Sequence, residues 1–447
     1  MKPAILIALA ALGALCLTCP ALAQIALPSL RLPPINTAPL TNGLSQNLNA
    51  VDSDVVRNLR QVTASDLIRR NRDLIEADPH GEPVLRGQLV ALGLSSDELA
   101  RLTDAGFLLI GEVRIEGLAT RVDVLRCPAG TSTRRALQIA RRLDAGDNID
   151  FDHLYQGSAA VVDQDAVPAT AVEDRGVLRS GVRVGLIDGG VQIEHPAFHG
   201  GAILPSGCDG HLVPSPHGTA VASLLIGEQL PFRGAAPGAT LYAADVYCGQ
   251  PTGGSIDAIA KALAWLSASR VAVINISLVG PDNLVLRELV RQMVARGHLI
   301  VAAVGNDGPA APPLYPAAYP DVIGVTAVDA HGRLLAEAER GVQVAFAAPG
   351  AEMAAASPPD GYAVVRGTSY AAPLVSGLLA AHLSEPDHAR AQAAVALLAD
   401  TARHLGTSGR NSSYGFGVIA EDLRMAPDIM HREETTLPVR SIPGRSQ

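Results

Sequence analysis

The sequence predicts an α/β fold: a three-layer domain built on a parallel central sheet, preceded by a small α+β unit. Three observations predict it. Beyond about residue 180, apolar strand-length runs alternate with longer helical segments, as expected for strands joined by crossover helices and hence for a parallel sheet covered on both faces. Ahead of that, helix and strand signals form a short mixed group, the pattern of a compact α+β unit. A chain of 447 residues at 48% hydrophobic content can bury one sizeable core and still carry appendages.

In chain order, MKPAILIALAALGALCLTCPALAQ has one early charge, an apolar stretch and a small-residue cleavage site at Ala21-Leu22-Ala23, so residues 1–23 are expected to be a signal peptide. The run is short and Pro20 breaks it before any charged stop, which argues against a retained anchor, and no later apolar run has spanning length. Residues 24–85 read as a Pro-rich leader followed by a helical segment, because VVRNLRQVTASDLIRRNRDLI places apolar residues among charges at helical spacing. Residues 86–165 hold the α+β unit: a helix near Ser95 to Ala105, strands in FLLIGEVRI and ATRVDVLRC, a helix from Ser132 to Leu143 and a strand near Ile149 to Tyr155. The stretch from Leu154 to Arg179 is small and polar, suited to an exposed, cleavable loop.

Residues 166–425 supply the larger domain, with strands in VRVGLI, TLYAADV, VAVINIS, LIVAAV, VIGVTAV and VQVAFAA. Its helices lie in IDAIAKALAWLSA and NLVLRELVRQMVARG, with a last one near Arg390 to Arg403 packed outside. Residues 426–447, with prolines and mixed charges, read as a loosely attached tail. The net charge of −9 with scattered arginines offers no basic patch, which excludes nucleic acid as a partner.

Three separated segments carry the chemistry: VGLIDGGV with Asp188, PHGTAVAS with His217 and RGTSYAAP with Ser369. A serine hydroxyl is a poor nucleophile until a neighbouring base takes its proton, and an imidazole does so only if a buried carboxylate fixes its tautomer. Asp188 ends an apolar run and precedes two glycines, which places it at a strand's carboxyl end, the rim where open α/β sheets bind ligands. His217 and Ser369 each open an Ala-rich apolar segment and so stand at helix N-termini, where the dipole favours developing negative charge. Taken singly, each residue is explained by a turn or a helix cap; their joint occurrence in order and context points to catalysis. The G-T-S-Y-A around Ser369 lacks the second glycine of the esterase and lipase elbow.

At these residues the chain resembles the subtilisin family of serine endopeptidases, over roughly residues 175–420. VAAVGNDGP is similar to that family's oxyanion segment, which implies Asn306 as the side-chain donor to the oxyanion, with the Ser369 backbone N–H as its partner. INISLVGP resembles the substrate-binding edge and implies Ser277, Leu278, Val279 and Gly280 as substrate-binding, joined by Ala303 and Gly305. Two positions depart from the family's pattern. Ala220 replaces a second histidine, a change that activity is expected to survive, and Val279 replaces a glycine, which narrows the pocket for the residue preceding the scissile bond. By its place in the chain, the α+β unit resembles the family's prodomain, a folding assistant and intramolecular inhibitor that is later cut away.

Of the five cysteines, Cys16 and Cys19 leave with the signal peptide. If the region holding Cys127 is removed too, Cys208 and Cys248 remain in an oxidising compartment and are expected to pair. The expectation is thus a secreted or periplasmic, self-processing endopeptidase acting on proteins or peptides, with Asp188, His217 and Ser369 as its triad. Its rivals are an inactive peptide-binding relative and an esterase or transacylase sharing the acyl-enzyme. No cofactor is expected for catalysis, and no acidic cluster has the spacing of a calcium loop, so the metal-binding residues are left open.

Overall fold

The computed structural model describes residues 63–427, apart from 119, 144–147, 158–159, 162–166, 169–180 and 200. The expected signal peptide, the leader, the start of the helical segment and the tail beyond 427 lie outside the described residues. Residues 63–70 are helical.

The N-terminal unit is an antiparallel sheet with two helices on one face. Its strands are β1 (Ile75–Ala77), β2 (Pro83–Leu92), β3 (Leu108–Arg114), β4 (Arg121–Arg126) and β5 (Ile149–His153), in the order β1-β2-β4-β3 with β5 also paired to β2. Its helices are α1 (Ser96–Asp104) and α2 (Thr133–Leu143). Ser95 starts α1 with a reciprocal cap, its side chain accepting from the Glu98 N–H while the Glu98 carboxylate accepts from the Ser95 N–H. Alternate residues of β2 face opposite ways: Leu89 and Ala91 pack with Leu102, Leu137 and Phe151 beneath the helices, whereas Val90 and Leu92 join the core of the larger domain. Strands β1 and β2 are absent from the sequence reading. Ile75, read there as helical, begins β1, and β2 starts ahead of the boundary drawn at 86, so the folded unit begins earlier. Its first face being covered by helices and its second by the neighbouring domain, β2 lacks the polar–apolar alternation that marks a half-exposed strand.

The short strands β6 (Gln156–Gly157), β7 (Ala160–Val161) and β8 (Val167–Pro168) lead into the larger domain. There follow β9 (Arg183–Asp188), β10 (Ala202–Ser206), α3 (Pro216–Ile226), the hairpin β11 (Glu228–Gln229) with β12 (Phe232–Arg233), β13 (Thr240–Asp245) and α4 (Ile256–Ala268). After these come β14 (Val273–Ile276), β15 (Leu278–Val279), α5 (Leu284–Ala295), β16 (Leu299–Ala303), β17 (Ile323–Val328) and β18 (Val344–Pro349). The domain closes with the antiparallel pair β19 (Met353–Ser357) and β20 (Gly361–Arg366), then α6 (Thr368–Ala380) and α7 (His388–Thr401).

Seven strands form one parallel sheet in the order β10-β13-β9-β14-β16-β17-β18, with α3, α6 and α7 on one face and α4 and α5 on the other. This is the three-layer α/β fold that the sequence predicts. The chain passes to opposite sides of β9, to β13 on one and β14 on the other, so a crevice opens at its carboxyl end, where Asp188 lies. Helices α3 and α6 are apolar on nearly every side, which suits their burial rather than a surface position.

Candidate active site

Each predicted residue is set by its element. Asp188 is the last residue of β9, 1% exposed, and its Oδ1 accepts the Gly189 N–H at 2.6 Å and lies 2.8 Å from His217 Nδ1. His217 sits in the first turn of α3, which starts at Pro216 with Ser215 accepting the Gly218 N–H at 3.0 Å. The glycine after His217 is a steric requirement, because a Cβ there would come within 2.2 Å of the Gly189 carbonyl oxygen. Burial works against the imidazolium, but the Asp188 carboxylate and its hydrogen bond outweigh it, so His217 titrates above the ordinary histidine range. Its Nε2 is buried without a hydrogen-bond partner among the described residues.

Ser369 stands in the first turn of α6, after Gly367, whose φ of 138° favours glycine. The Ser369 hydroxyl donates to the Ser277 carbonyl at 3.1 Å, and the next ring, Tyr370, packs 5.6 Å from the His217 ring. Pro373 has no N–H to offer the Ser369 carbonyl one turn earlier, and the Ser277 hydroxyl takes its place at 2.9 Å. Asn275, buried below, donates to Ser277 Oγ and accepts from Ser376 Oγ, each at 2.9 Å. Asn306 accepts the Thr368 N–H at 3.1 Å through Oδ1, which leaves its Nδ2 buried and unpartnered. Gly305, with φ 116°, brings its N–H to 3.3 Å from Thr368 Oγ1.

The remaining predicted residues divide between the edge of the crevice and the core. Val279 and Leu278 pair antiparallel with Gln156 and Gly157, so this edge takes an extended peptide, while the Leu278 side chain itself is in the core. Ala303, at the end of β16, is also core. A cavity of about 430 Å³ beside Asp188 and His217 is lined further by Gly157, Asp245 and Tyr247. Gly157 lies against the imidazole: a Cβ there would sit 3.4 Å from His217 Nε2.

Sequence reasoning missed Asn275, Asp245 and the docking of β6. Asp245 ends β13 directly opposite Asp188, and its Oδ1 accepts the N–H groups of Tyr247 and Cys248 at 2.8 and 2.9 Å. Burial first, and the charge of Asp188 besides, raise its carboxyl. An aspartate closing TLYAAD looks like any strand-ending turn residue; only the parallel register with β9 reveals its neighbour.

Cys208 and Cys248 form a disulfide across 40 residues, joining the loops after β10 and β13. With Asp245 they are also the group of potential metal donors found among the described residues, but both sulfurs are committed to each other and no metal site results. Cys127 is free and buried in the N-terminal unit, where burial pushes its thiol up to about 12.

Residues 179–417 match the subtilase family, peptidase S8. The chain belongs to this family. Subtilisin E of Bacillus subtilis is 31% identical over 304 residues, 65% of this chain and 78% of that protein. Subtilisin Savinase of Lederbergia lenta is 35% identical over 223 residues, 48% of this chain and 80% of that protein. Among solved structures, fervidolysin of Fervidobacterium pennivorans, a keratinolytic enzyme related to subtilisin, superposes with a TM-score of 0.61 at 20% identity, a likeness of fold. That match covers 81% of this chain and 63% of the other. This subtilase is accordingly a serine endopeptidase, of a family that needs no cofactor for catalysis. Among its described residues no helix is long and apolar enough to cross a membrane.

Proposed function

We propose that this subtilase is exported, to the medium or a periplasm, as a self-inhibited precursor that cuts its own chain. Residues 1–23 serve as the signal peptide, the α+β unit as inhibitor and folding partner, 166–425 as the peptidase domain and 426–447 as a tail. In the reaction, Ser369 Oγ attacks the peptide carbonyl carbon while His217 Nε2 takes the hydroxyl proton. The tetrahedral intermediate then collapses to an acyl-enzyme as Nε2 passes that proton to the leaving amine, and water, deprotonated by the same nitrogen, releases the acid. Asp188 holds the imidazole's tautomer and balances its charge. The unpartnered Asn306 Nδ2, with the Ser369 N–H, receives the oxyanion.

The observation that carries this reading is the path of the chain between its two units. Gln156–Gly157 lies antiparallel on Leu278–Val279, and Ala160–Val161 lies antiparallel on Val365–Arg366, the strand that runs into Ser369. The pairing runs as far as Gly157 on Leu278, and the carbonyl of Ser277, the residue before Leu278, is the group that holds the Ser369 hydroxyl, so cleavage is assigned just beyond Gly157. The bond assigned to self-cleavage is therefore Ser158–Ala159. A small residue there fits the narrowing expected from Val279. Intact mass and N-terminal sequence of the exported wild type, beside a Ser369→Ala variant, test this. The expected result is a new terminus at Ala159 in the wild type and none in the variant; a terminus outside residues 158–160, or processing of the variant, refutes it. Ester and peptide substrates run in parallel separate an endopeptidase from an esterase.

A further inference from the structure

We propose that Asn275 is a positioning residue for the nucleophile: its buried amide clamps the first two turns of α6 in one place along the sheet and so sets where Ser369 Oγ meets the base. The inference goes beyond the proposed reaction and rests on it in one respect, that Ser369 is the attacking group. Asn275 lies on β14, the central strand of the seven, beside β9, and is fully buried. Its strand neighbours Val273, Ile274 and Ile276 are apolar, so a polar side chain here destabilises the core unless both ends of its amide are bonded.

Both ends are bonded, and Pro373 fixes the direction of every bond. Because Pro373 has no N–H, the Ser369 carbonyl needs another donor, and the one proton of Ser277 Oγ goes to it at 2.9 Å. Ser277 Oγ then has only lone pairs to offer Asn275, so the group that faces it, at 2.9 Å, is the amide NH2. The amide oxygen is thereby turned to Ser376 Oγ, which lies 2.9 Å from it and 3.0 Å from the Ala372 carbonyl. That carbonyl already has its helical N–H, so the amide oxygen is the acceptor in need of the hydroxyl proton. Ser277, Ser369 and Ser376 are as fully buried as Asn275.

The amide thus reaches α6 at two points, Ser369 through Ser277 and Ser376 directly, about two turns of helix apart. Between and beyond them the helix packs through apolar side chains such as Ala371, Leu374 and Val375, whose attraction is non-directional and tolerates sliding. Directional bonds at two points do not, and an offset of about 1 Å at a reacting atom lowers the rate by about a hundredfold. The Ser277 carbonyl in turn accepts the Ser369 hydroxyl at 3.1 Å, so backbone and side chain of the nucleophile are both tied to the residue that Asn275 orients. Aspartate has the same shape but only acceptors; it would draw the Ser277 proton to itself and leave the Ser369 carbonyl unpaired.

The test compares Asn275→Asp and Ser376→Ala with Met293→Ala, a control for stability alone that cuts back a core side chain on the opposite face of the sheet. Each is matured with a trace of tagged wild type that is then removed. The readouts are kcat and KM on one peptide, the rate at which a fluorophosphonate labels Ser369, and urea unfolding of the same substitutions in a Ser369→Ala background. Asn275→Asp is expected to lower kcat and the labelling rate together by about tenfold or more, with KM changed by less than about twofold. Ser376→Ala, which keeps the Ser277 arm, is expected to lose about threefold or more in kcat. Met293→Ala is expected to keep the wild-type kcat while losing at least as much stability as either. A kcat loss under about threefold in Asn275→Asp, a loss confined to KM, or an equal loss of kcat in Met293→Ala overturns the proposal. If Asn275→Asp does not fold, Ser376→Ala decides alone, and an unchanged kcat there overturns it. Failure of the underlying reading shows differently: Ser369→Ala still turns over the peptide, or the fluorophosphonate marks another residue of the wild type, and either result overturns this inference too.

Discussion

At the residue scale, the chemistry proposed for the site lies in atoms left without partners among the described residues. Among the described residues His217 Nε2 and Asn306 Nδ2 are buried and have no hydrogen-bond partner, whereas the other ends of both side chains are fixed, by Asp188 and by the Thr368 N–H. This is how a preorganised site looks before charge develops: the acceptor nitrogen of His217 and the donor amide of Asn306 cost no reorganisation when the proposed reaction needs them. Replacement of Asn306 by alanine is expected to lower kcat by about a hundredfold to a thousandfold, the loss known for the equivalent amide of subtilisin itself and carried over here. Because the Asp188 carboxylate raises His217, this proposed base becomes neutral only above the ordinary histidine range. The acid limb of the kcat/KM profile is therefore expected above about pH 6.5, measured on a peptide free of titrating groups. A limb below that value would show that burial outweighs the carboxylate.

At the element scale, the proposed nucleophile depends on how α6 begins. Pro373 withholds one helix hydrogen bond from the Ser369 carbonyl, and β15's neighbour Ser277 supplies the replacement while its own carbonyl holds the Ser369 hydroxyl. Ser277→Ala would strand the Ser369 carbonyl and the Asn275 amide together. In a Ser369→Ala background, which prevents autolysis, it is expected to cost about 1–3 kcal/mol in urea unfolding. The sequence reading placed Ser277 at the substrate edge through INISLVGP but not its bonds to Ser369, because Ser277 and Ser369 are 92 positions apart and nothing local couples them.

At the scale of the whole molecule, the N-terminal sheet is fastened to the peptidase domain through helix ends. Asp150 Oδ2 accepts the Leu284 N–H at the start of α5, at 2.9 Å, and Asp152 Oδ1 accepts the Asp257 N–H at the start of α4, at 3.3 Å. Asp152 also accepts from Gln88 and faces the Asp257 carboxylate, whose other partner is Lys261. Complete burial, then the charge of Asp257, push Asp152 up to about 7, well above the value near 4 of a free aspartate. A carboxyl raised in the docked state favours docking while it is protonated. Docking is thus strongest below about pH 4 and weakens as pH rises to about 7, after which it is constant. Size-exclusion chromatography of the processed wild type is expected to show the N-terminal unit retained at pH 5 and released about tenfold or more readily at pH 8, with Asp152→Asn flattening the difference. A pH-independent release in the wild type would place the control elsewhere.

Taken by itself, the sequence determined the parallel α/β domain, because strand and helix periods are local properties of the chain. It also determined the identity and order of Asp188, His217, Asn306 and Ser369, because each lies in a contiguous motif at a strand end or helix start. Only the tertiary structure decided what those residues face: Asp245 across from Asp188, Asn275 beneath Ser277, and Gly157 in the groove. Strand β2 belongs with them, since its burial on both sides depends on a domain that begins some 90 residues later and leaves no alternation in its own letters. The division has one physical cause. Periodicity and capping are written in neighbouring residues, whereas register, docking and the partners of buried polar groups arise from segments that meet only when the chain has folded.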